Sequence, residues 1–495
     1  MNGRRTAALI LFAFSSCAVA PAPAQTYVHD HVTARTTWRA ADGPYIVTNQ
    51  IELLNRATLT IEPGVEVRFE PNTQLKISNG RLIARGTATD QIHFTRDGED
   101  PWNGLGFGGD AIDATFDAGG TYTGGCILEY ATVDGAQGAG IWTDNAAPYL
   151  SHVTVRNTLG RGLSLRYADG IHVEDCTIRD NKSLSSWTPC GGVYMRVCQD
   201  AVFRGNTIAD NYAYDDGGGM YLRACNRALF VENTITGNYA ESAGDGIYAY
   251  SNTDLVLSGN TITGNIGSGL YAEKFDNLQL IGNTFTENTG YAIHVVYDSH
   301  GVTLSGGNRL LNNGGSGFNI GSGVTGIMLS ADPDDPTWMY GNRPHDGVQL
   351  HNGYAAPVDA EHVWWNTTDP AVIRAAITFP DAVDYQPFYV PDSHAPGDAN
   401  GDGQVNILDA FALNGAWGCT GGEPGYDWFV DFSGDGRINI FDAFVLNENW
   451  GNVSSATVPG VSTTAVPEPA AAAFLIAAAP VLLRTARQRL SLGAK

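Results

Sequence analysis

Two stretches near the C-terminus place oxygen-bearing residues at the intervals a hard divalent cation requires. Asp398, Asn400, Asp402, Asn406 and Asp409 occupy positions 1, 3, 5, 9 and 12 of a loop whose sixth residue is Gly403, and the Gln404 carbonyl supplies position 7. At an offset of 33 residues, Asp431, Ser433, Asp435, the Arg437 carbonyl, Asn439 and Asp442 repeat the set around Gly436. Ca²⁺ takes roughly six to eight oxygen ligands, and glycine at position 6 allows the sharp turn that gathers them. The duplication predicts two Ca²⁺ ions, one in each loop.

A second group with chemical potential lies mid-chain, where GAGIWTD, GRGLSLR, GGVYMRV, GGMYLRA, GIYAYSN, GLYAEKF and AIHVVYD recur. With Val193 and Met195, Met220 and Leu222, and Ile247 and Ala249 inward, period-two alternation turns the residues between them outward. One outward column is then Trp142, Ser164, Tyr194, Tyr221, Tyr248, Tyr271 and His294; the next is Asp144, Arg166, Arg196, Arg223, Tyr250 and Glu273. An exposed aromatic stripe, with Trp142, Tyr194, Tyr221, Tyr248 and Tyr271 as the carbohydrate-binding residues, suits sugar-ring stacking, and the arginines beside it suit carboxylates or sulfates. Tyrosine also favours strands and stacks on itself, which accounts for the column without a ligand.

Loops carrying Asp215, Asp216, Glu241 and Asp245 should overhang this face. A glycosidase needs two carboxylates flanking the bond, and Asp215, Asp216 and Asp245 are the clustered candidates. A β-eliminating polysaccharide lyase needs a base and a cation for the enolate, a role open to Arg196 or Arg223 with acidic neighbours. The Gly-His-Gly and Arg-Ile-Lys motifs of polygalacturonase-type sites do not occur. Enzyme, glycan-binding protein and non-catalytic adhesin or spacer all remain open at this point.

The elements that must position these residues are written in a repeat. CTIRDN, NTIADN, NTITGN, NTITGN, NTFTEN and NRLLNN place Ile178, Ile208, Ile235, Ile262, Phe285 and Leu310 at steps of 30, 27, 27, 23 and 25 residues. Such periods mark a solenoid, and short β-branched alternations without helical windows leave a parallel β-helix, one coil per repeat. Asn206, Asn233, Asn260, Asn283 and Asn308 form one column, and Asn181, Asn211, Asn238, Asn265, Asn288 and Asn313 another. Coils about 4.8 Å apart would let these amides hydrogen-bond up the stack, with asparagine taking the left-handed backbone of each turn. A dozen or so coils would make a rod on the order of 60 Å long. Residues 96–125 are glycine-rich and acidic and read only as a coil with a long loop.

LTIEPGVEVRF, at 59–69, resembles the opening coils of exported bacterial right-handed parallel β-helix proteins, and EHVWWNTTDPAVIRAAITFPDAVDYQPFYVPD, from Glu361, is similar to their closing coil with its short helix. The calcium loops depart from an ordinary EF-hand: position 12 is Asp, and Pro396 denies the first loop an entering helix. In both respects residues 396–451 resemble type I dockerins, duplicated loop–helix units that bind two calcium ions and dock onto cohesin domains. That resemblance makes Ile407, Leu408, Ile440 and Phe441, at positions 10 and 11, the partner-docking residues, and a cohesin-like protein the partner; a calcium-stapled module without a partner is the plainer reading.

The chain therefore reads as an all-β, right-handed parallel β-helix over 25–392 followed by a small α-helical calcium-binding unit. Arg4 and Arg5, the apolar run from Ala7 and Ala22-Pro23-Ala24 make residues 1–24 a signal peptide. Past a Ser/Thr-rich linker at 452–465, residues 466–489 join Pro467-Glu468-Pro469, an apolar run and Arg484, Arg487 and Arg489. This is similar to the PEP-CTERM sorting signal, which implies an exosortase-type processing enzyme and display at the cell envelope or outside the cell. A net charge of −24 speaks against nucleic acid as a partner. Cys198 and Cys225, in equivalent places of adjacent coils, would be either disulfide-bonded or a reduced stacked pair.

Overall fold

The computed structural model describes residues 25–388, apart from 186, 331–334, 345–346 and 368–369, and, nearer the C-terminus, 405–420, 430, 432–433 and 437–451. The chain divides into two units, Met1–Phe388 and Tyr389–Lys495. Residues 1–24 and 466–489, expected from sequence to be a signal peptide and a sorting tail, lie outside the described residues.

The first unit is a parallel β-helix. A coil is built from three short strands, as in Val193–Arg196, Val202–Arg204 and Thr207–Ala209. Each pairs in parallel with its counterpart one coil on, at Met220–Arg223, Leu229–Val231 and Thr234–Thr236. Among the described strands of this unit, one pair is antiparallel, the hairpin Thr115–Phe116 with Tyr122–Gly124. Alternation makes the core: the repeat's central residues, Ile178 through Leu310, are at most 1% exposed.

Both asparagine columns are continuous ladders. Each side-chain Nδ2 donates to the next asparagine's Oδ1 at 2.9–3.2 Å, from Asn206 to Asn308 and from Asn181 to Asn313. The same Oδ1 also accepts the backbone N–H of the preceding asparagine, as Asn265 does from Asn238 at 3.0 Å. The second ladder runs one coil beyond the expected repeat, through Asn342, and ends on the Gln349 Oε1. One expectation is corrected. The laddering asparagines are not the left-handed residues of the turns; the residue before each is, as at Gly205 (φ 64°), Gly237 (φ 64°) and Asn312 (φ 56°). Glycine, Asp, Glu and Asn share that duty, which leaves the next side chain free to point inward.

The stack absorbs segments the repeat does not reveal. Leu105–Ala111 joins Gln74–Arg85 to Gln137–Asp144, so the glycine-rich stretch is a genuine coil. Phe318–Ile320 and Val324–Met328 continue two strand columns. A short helix, Pro370–Ala375, buries Ile373, and Val383–Asp384 pairs with Val358–Asp359. Among the described residues, the five cysteines of the β-helix are free thiols, so Cys198 and Cys225 are a reduced stacked pair. Burial pushes the thiols of Cys126 up to about 11 and of Cys176 and Cys190 up to about 12, suppressing the reactive thiolate. Iodoacetamide should therefore label Cys126, Cys176 and Cys190 only after denaturant; peptide mass mapping checks this, and fast native labelling of Cys176 would contradict it.

In the second unit two helices, Ile407–Gly415 and Ile440–Glu448, enclose a small core of Val405, Leu413, Ala416, Val430, Ile438 and Leu446.

Candidate functional site

The aromatic column exists, and it is longer than expected. Tyr194, Tyr221, Tyr248 and Tyr271 stand in register on successive strands, followed by His294, Asn319 and His351. The tyrosine rings stack with centroids 5.4, 5.0 and 5.2 Å apart and planes within 20°, spacings at which aromatic pairs attract. At the column's start, the Arg161 guanidinium lies 3.8 Å from the Tyr194 ring centroid. Trp142 is set apart by Ser164; its ring lies on Gly106, where a Cβ would come within 2.2 Å of it.

The expected open stripe is overturned at its centre. Tyr194, Tyr221 and Tyr248 are 7–8% exposed and form a second, smaller core with Cys190. The loops expected to overhang them lie down on them instead. These loops add their own three-stranded parallel sheet, Lys182–Ser183, Tyr212–Ala213 and Tyr239–Ala240. Gly191 and Gly218 permit the close approach: a Cβ at Gly191 would meet the Tyr212 carbonyl at 2.3 Å, and one at Gly218 the Tyr239 backbone at 2.6 Å. Covered rings cannot stack on a sugar, so Tyr271, half-buried, is the column tyrosine left within reach.

The proposed carboxylate trio is separated by role. Asp245 is 6% exposed; its Oδ1 accepts the Ala240 N–H at 3.0 Å and its Oδ2 the Ser268 N–H at 2.9 Å. Burial pushes its carboxyl up to about 6 against the pull of those bonds. It ties a loop to the next coil, so its lone pairs are committed to the backbone rather than to a scissile bond. Asp215 and Asp216 are half-buried at the loop tip. The Asp216 carboxyl is raised, first by burial and then by the nearby charges of Asp215 and Glu273. Glu273, which the sequence reading left unassigned, accepts the Tyr248 hydroxyl at 3.2 Å. Arg196 and Arg223 are in register one coil apart, and the exposed Arg223 lies over Tyr250 at 5.4 Å.

Past Tyr271 the column opens into a cleft of about 220 Å³, lined by Tyr271, Tyr297, Tyr354, His294, Asn319 and His351 among others. His294 meets Tyr271 edge-on, with centroids 4.9 Å apart. Burial, with His351 nearby, lowers its imidazole to about 4, so it is neutral at physiological pH. None of these residues but Tyr271 was chosen as a site residue from sequence. The signal available was the register itself, since Asn319 and His351 continue the outward column.

In the second unit, Asp398, Asn400, Asp402, Gln404, Asp431 and Asp435 lie outside the described residues. Of the rest, Asp409 and Asp442 are fully buried at the helix N-termini. Asp442 accepts the Ser433 N–H through Oδ1 at 2.9 Å and the Asn439 N–H through Oδ2 at 2.7 Å; Asp409 accepts the Asn406 N–H at 2.7 Å. Asn406 and Asn439 cap the helices, accepting the N–H groups of Leu408 and Phe441. Buried carboxylates need compensating charge, and a cation in each loop would fit. Ile407, Leu408, Ile440 and Phe441 are 48–59% exposed, and the helix adds two residues the sequence reading missed, Phe411 (65%) and Phe444 (55%). They stand three and four residues beyond the first pair, on the same face.

Residues 396–449 match the dockerin type I domain. Residues 150–368, the regular part of the solenoid, match the family described as periplasmic copper-binding protein (NosD). Over 54 residues the chain is 50% identical to protein bark beetle of Drosophila melanogaster, a stretch that makes up 11% of this chain and 2% of that protein. Among solved structures, the periplasmic alginate epimerase AlgG is 13% identical with a TM-score of 0.33, covering 56% of this chain and 73% of that one. The A-module of the Azotobacter vinelandii mannuronan C-5 epimerase AlgE4 is also 13% identical with a TM-score of 0.33, covering 71% and 90%. The chain is thus a β-helix repeat protein carrying a dockerin-like unit, and dockerin type I domains bind calcium and imply a cohesin-type partner.

Proposed function

We propose that this is an exported, envelope-associated polysaccharide-binding protein, fixed in an assembly by calcium-dependent docking. The observation that carries the reading is the aromatic column of one outer sheet, sealed by loops for three coils and opening at Tyr271 into a cleft walled by further tyrosines. A glycan chain lying along that sheet meets rings at one end and the Arg196, Arg223 and Glu273 column beside them. Screening the full chain on a glycan array, with reducing-sugar and unsaturated-uronate assays on whatever binds, tests this. Binding without product supports it, whereas a chain that retains no polysaccharide contradicts it.

In this reading two Ca²⁺ ions occupy the loops of Asp398–Asp409 and Asp431–Asp442, and a cohesin-type domain reads the face of Ile407, Leu408, Phe411, Ile440, Phe441 and Phe444. The two loop–helix copies present like residues, so either orientation serves. Phe411→Asp with Phe444→Asp is expected to weaken retention on an immobilised cohesin-type domain by at least tenfold. Because both side chains are more than half exposed, the melting temperature should hardly move; unchanged retention would remove this face from the docking role. Residues 1–24 act as the export signal, and 466–489 as the tail cut by an exosortase-type enzyme.

Cleavage of glycosidic bonds is the second reading, favoured by Asp216, whose raised carboxyl lies near Glu273. Product formation that is lost in Asp216→Ala would support it over binding alone. The copper in the matched family's description finds no counterpart: among the described residues no three His, Cys, Asp or Glu side chains gather into a metal site.

A further inference from the structure

We infer that the cleft beyond Tyr271 is a subsite for one neutral sugar ring, an inference that rests on the polysaccharide reading and narrows it. Asn319 is 6% exposed, and its Oδ1 has no hydrogen-bond partner. One coil on, in the same column, the buried His351 Nδ1 has none either. Buried polar atoms are nearly always satisfied, because a bare one keeps its desolvation penalty in full. Two in adjacent coils, both lining an open cleft, point to hydrogen-bonding groups supplied from outside the chain. Sugar hydroxyls meet both needs: Asn319 Oδ1 accepts from one, and His351 Nδ1 pairs with another in either tautomer.

Size and charge set the ligand class. The cleft holds about 220 Å³, below the roughly 300–1,000 Å³ of drug-sized sites, which suits a single ring. No Asp, Glu, Lys or Arg lines it, and His294 is held neutral by burial. A uronate or sulfate would lose its water there without gaining a counter-charge. Tyr297 and Tyr354, 51% and 66% exposed at the rim, offer ring faces to the apolar C–H side of a sugar.

The test is calorimetry on the full chain with neutral oligosaccharides (gluco-, manno-, galacto- and xylo-series) and oligouronates, in wild type, Asn319→Leu and Tyr354→Ala. Wild type should bind at least one neutral series and prefer it over the uronates. Each variant should weaken that binding about tenfold or more. Asn319→Leu should keep or raise the thermal midpoint, since it deletes an unsatisfied group. A lowered midpoint with unchanged binding would mean that Asn319 is structural and would overturn the inference. Uronate-only binding, indifferent to both variants, would overturn it while leaving the polysaccharide reading intact. No binding to any glycan would overturn both.

Discussion

Asn238→Leu is expected to destabilise the β-helix by about 4 kcal/mol, since each buried group stripped of its partner costs about 1–3 kcal/mol. Asn238 is fully buried. Its Nδ2 donates to the Ile208 carbonyl at 2.9 Å and to the Asn265 Oδ1 at 3.0 Å. Its Oδ1 accepts both the backbone N–H and the Nδ2 of Asn211, at 3.1 and 3.0 Å. Leucine restores none of these and leaves the Asn211 N–H and one hydrogen of the Asn211 Nδ2 without acceptors in the core. Thr236→Ala, half-buried on the same coil, should cost about 1 kcal/mol or less. Denaturant midpoints compare the two; equal shifts would show that the ladder contributes no more than an ordinary turn.

Chelating calcium is expected to abolish the two helices of the second unit and leave the β-helix intact. At calcium about a thousandfold above Kd, each site stabilises its fold by about 4 kcal/mol, and the core of six small and medium side chains has little to set against that loss. Asp409 and Asp442 would then be buried carboxylates without their cation. Far-UV circular dichroism with chelator should lose helical signal and keep the strand signal, and Asp442→Ala should reproduce half of the loss in saturating calcium. Superimposable spectra in calcium and chelator would contradict a calcium-built unit.

The solenoid was legible because its determinants are local and repeated. An asparagine that must meet an identical asparagine one coil away appears at every coil, so Asn181 to Asn313 announce the period directly. The central residues Ile178 to Leu310 follow from period-two alternation for the same reason. Alternation tells which side of a sheet a residue faces, though not what covers that side. For this reason Tyr194, Tyr221 and Tyr248 were placed on the correct face and yet expected in the open. Their cover depends on Gly191 and Gly218, which read as turn glycines and are in fact points where one loop lies against another. Asp245 looked like a member of an acidic cluster because sequence cannot show that its two oxygens are taken by Ala240 and Ser268. Asn319 and His351 were missed because the repeat loosens after Asn313, while the strand register does not. Phe411 and Phe444 were missed because their exposure depends on how few neighbours so small a unit offers to cover them, which sequence does not show.

Oxidative footprinting of the full chain, free and saturated with a polysaccharide it retains, tests the binding face most directly. Protection should concentrate on Tyr271, Tyr297 and Tyr354, while Tyr27, 55% exposed in the first coil, stays as reactive as before. Protection of Tyr27 with Tyr297 and Tyr354 unchanged would contradict the account.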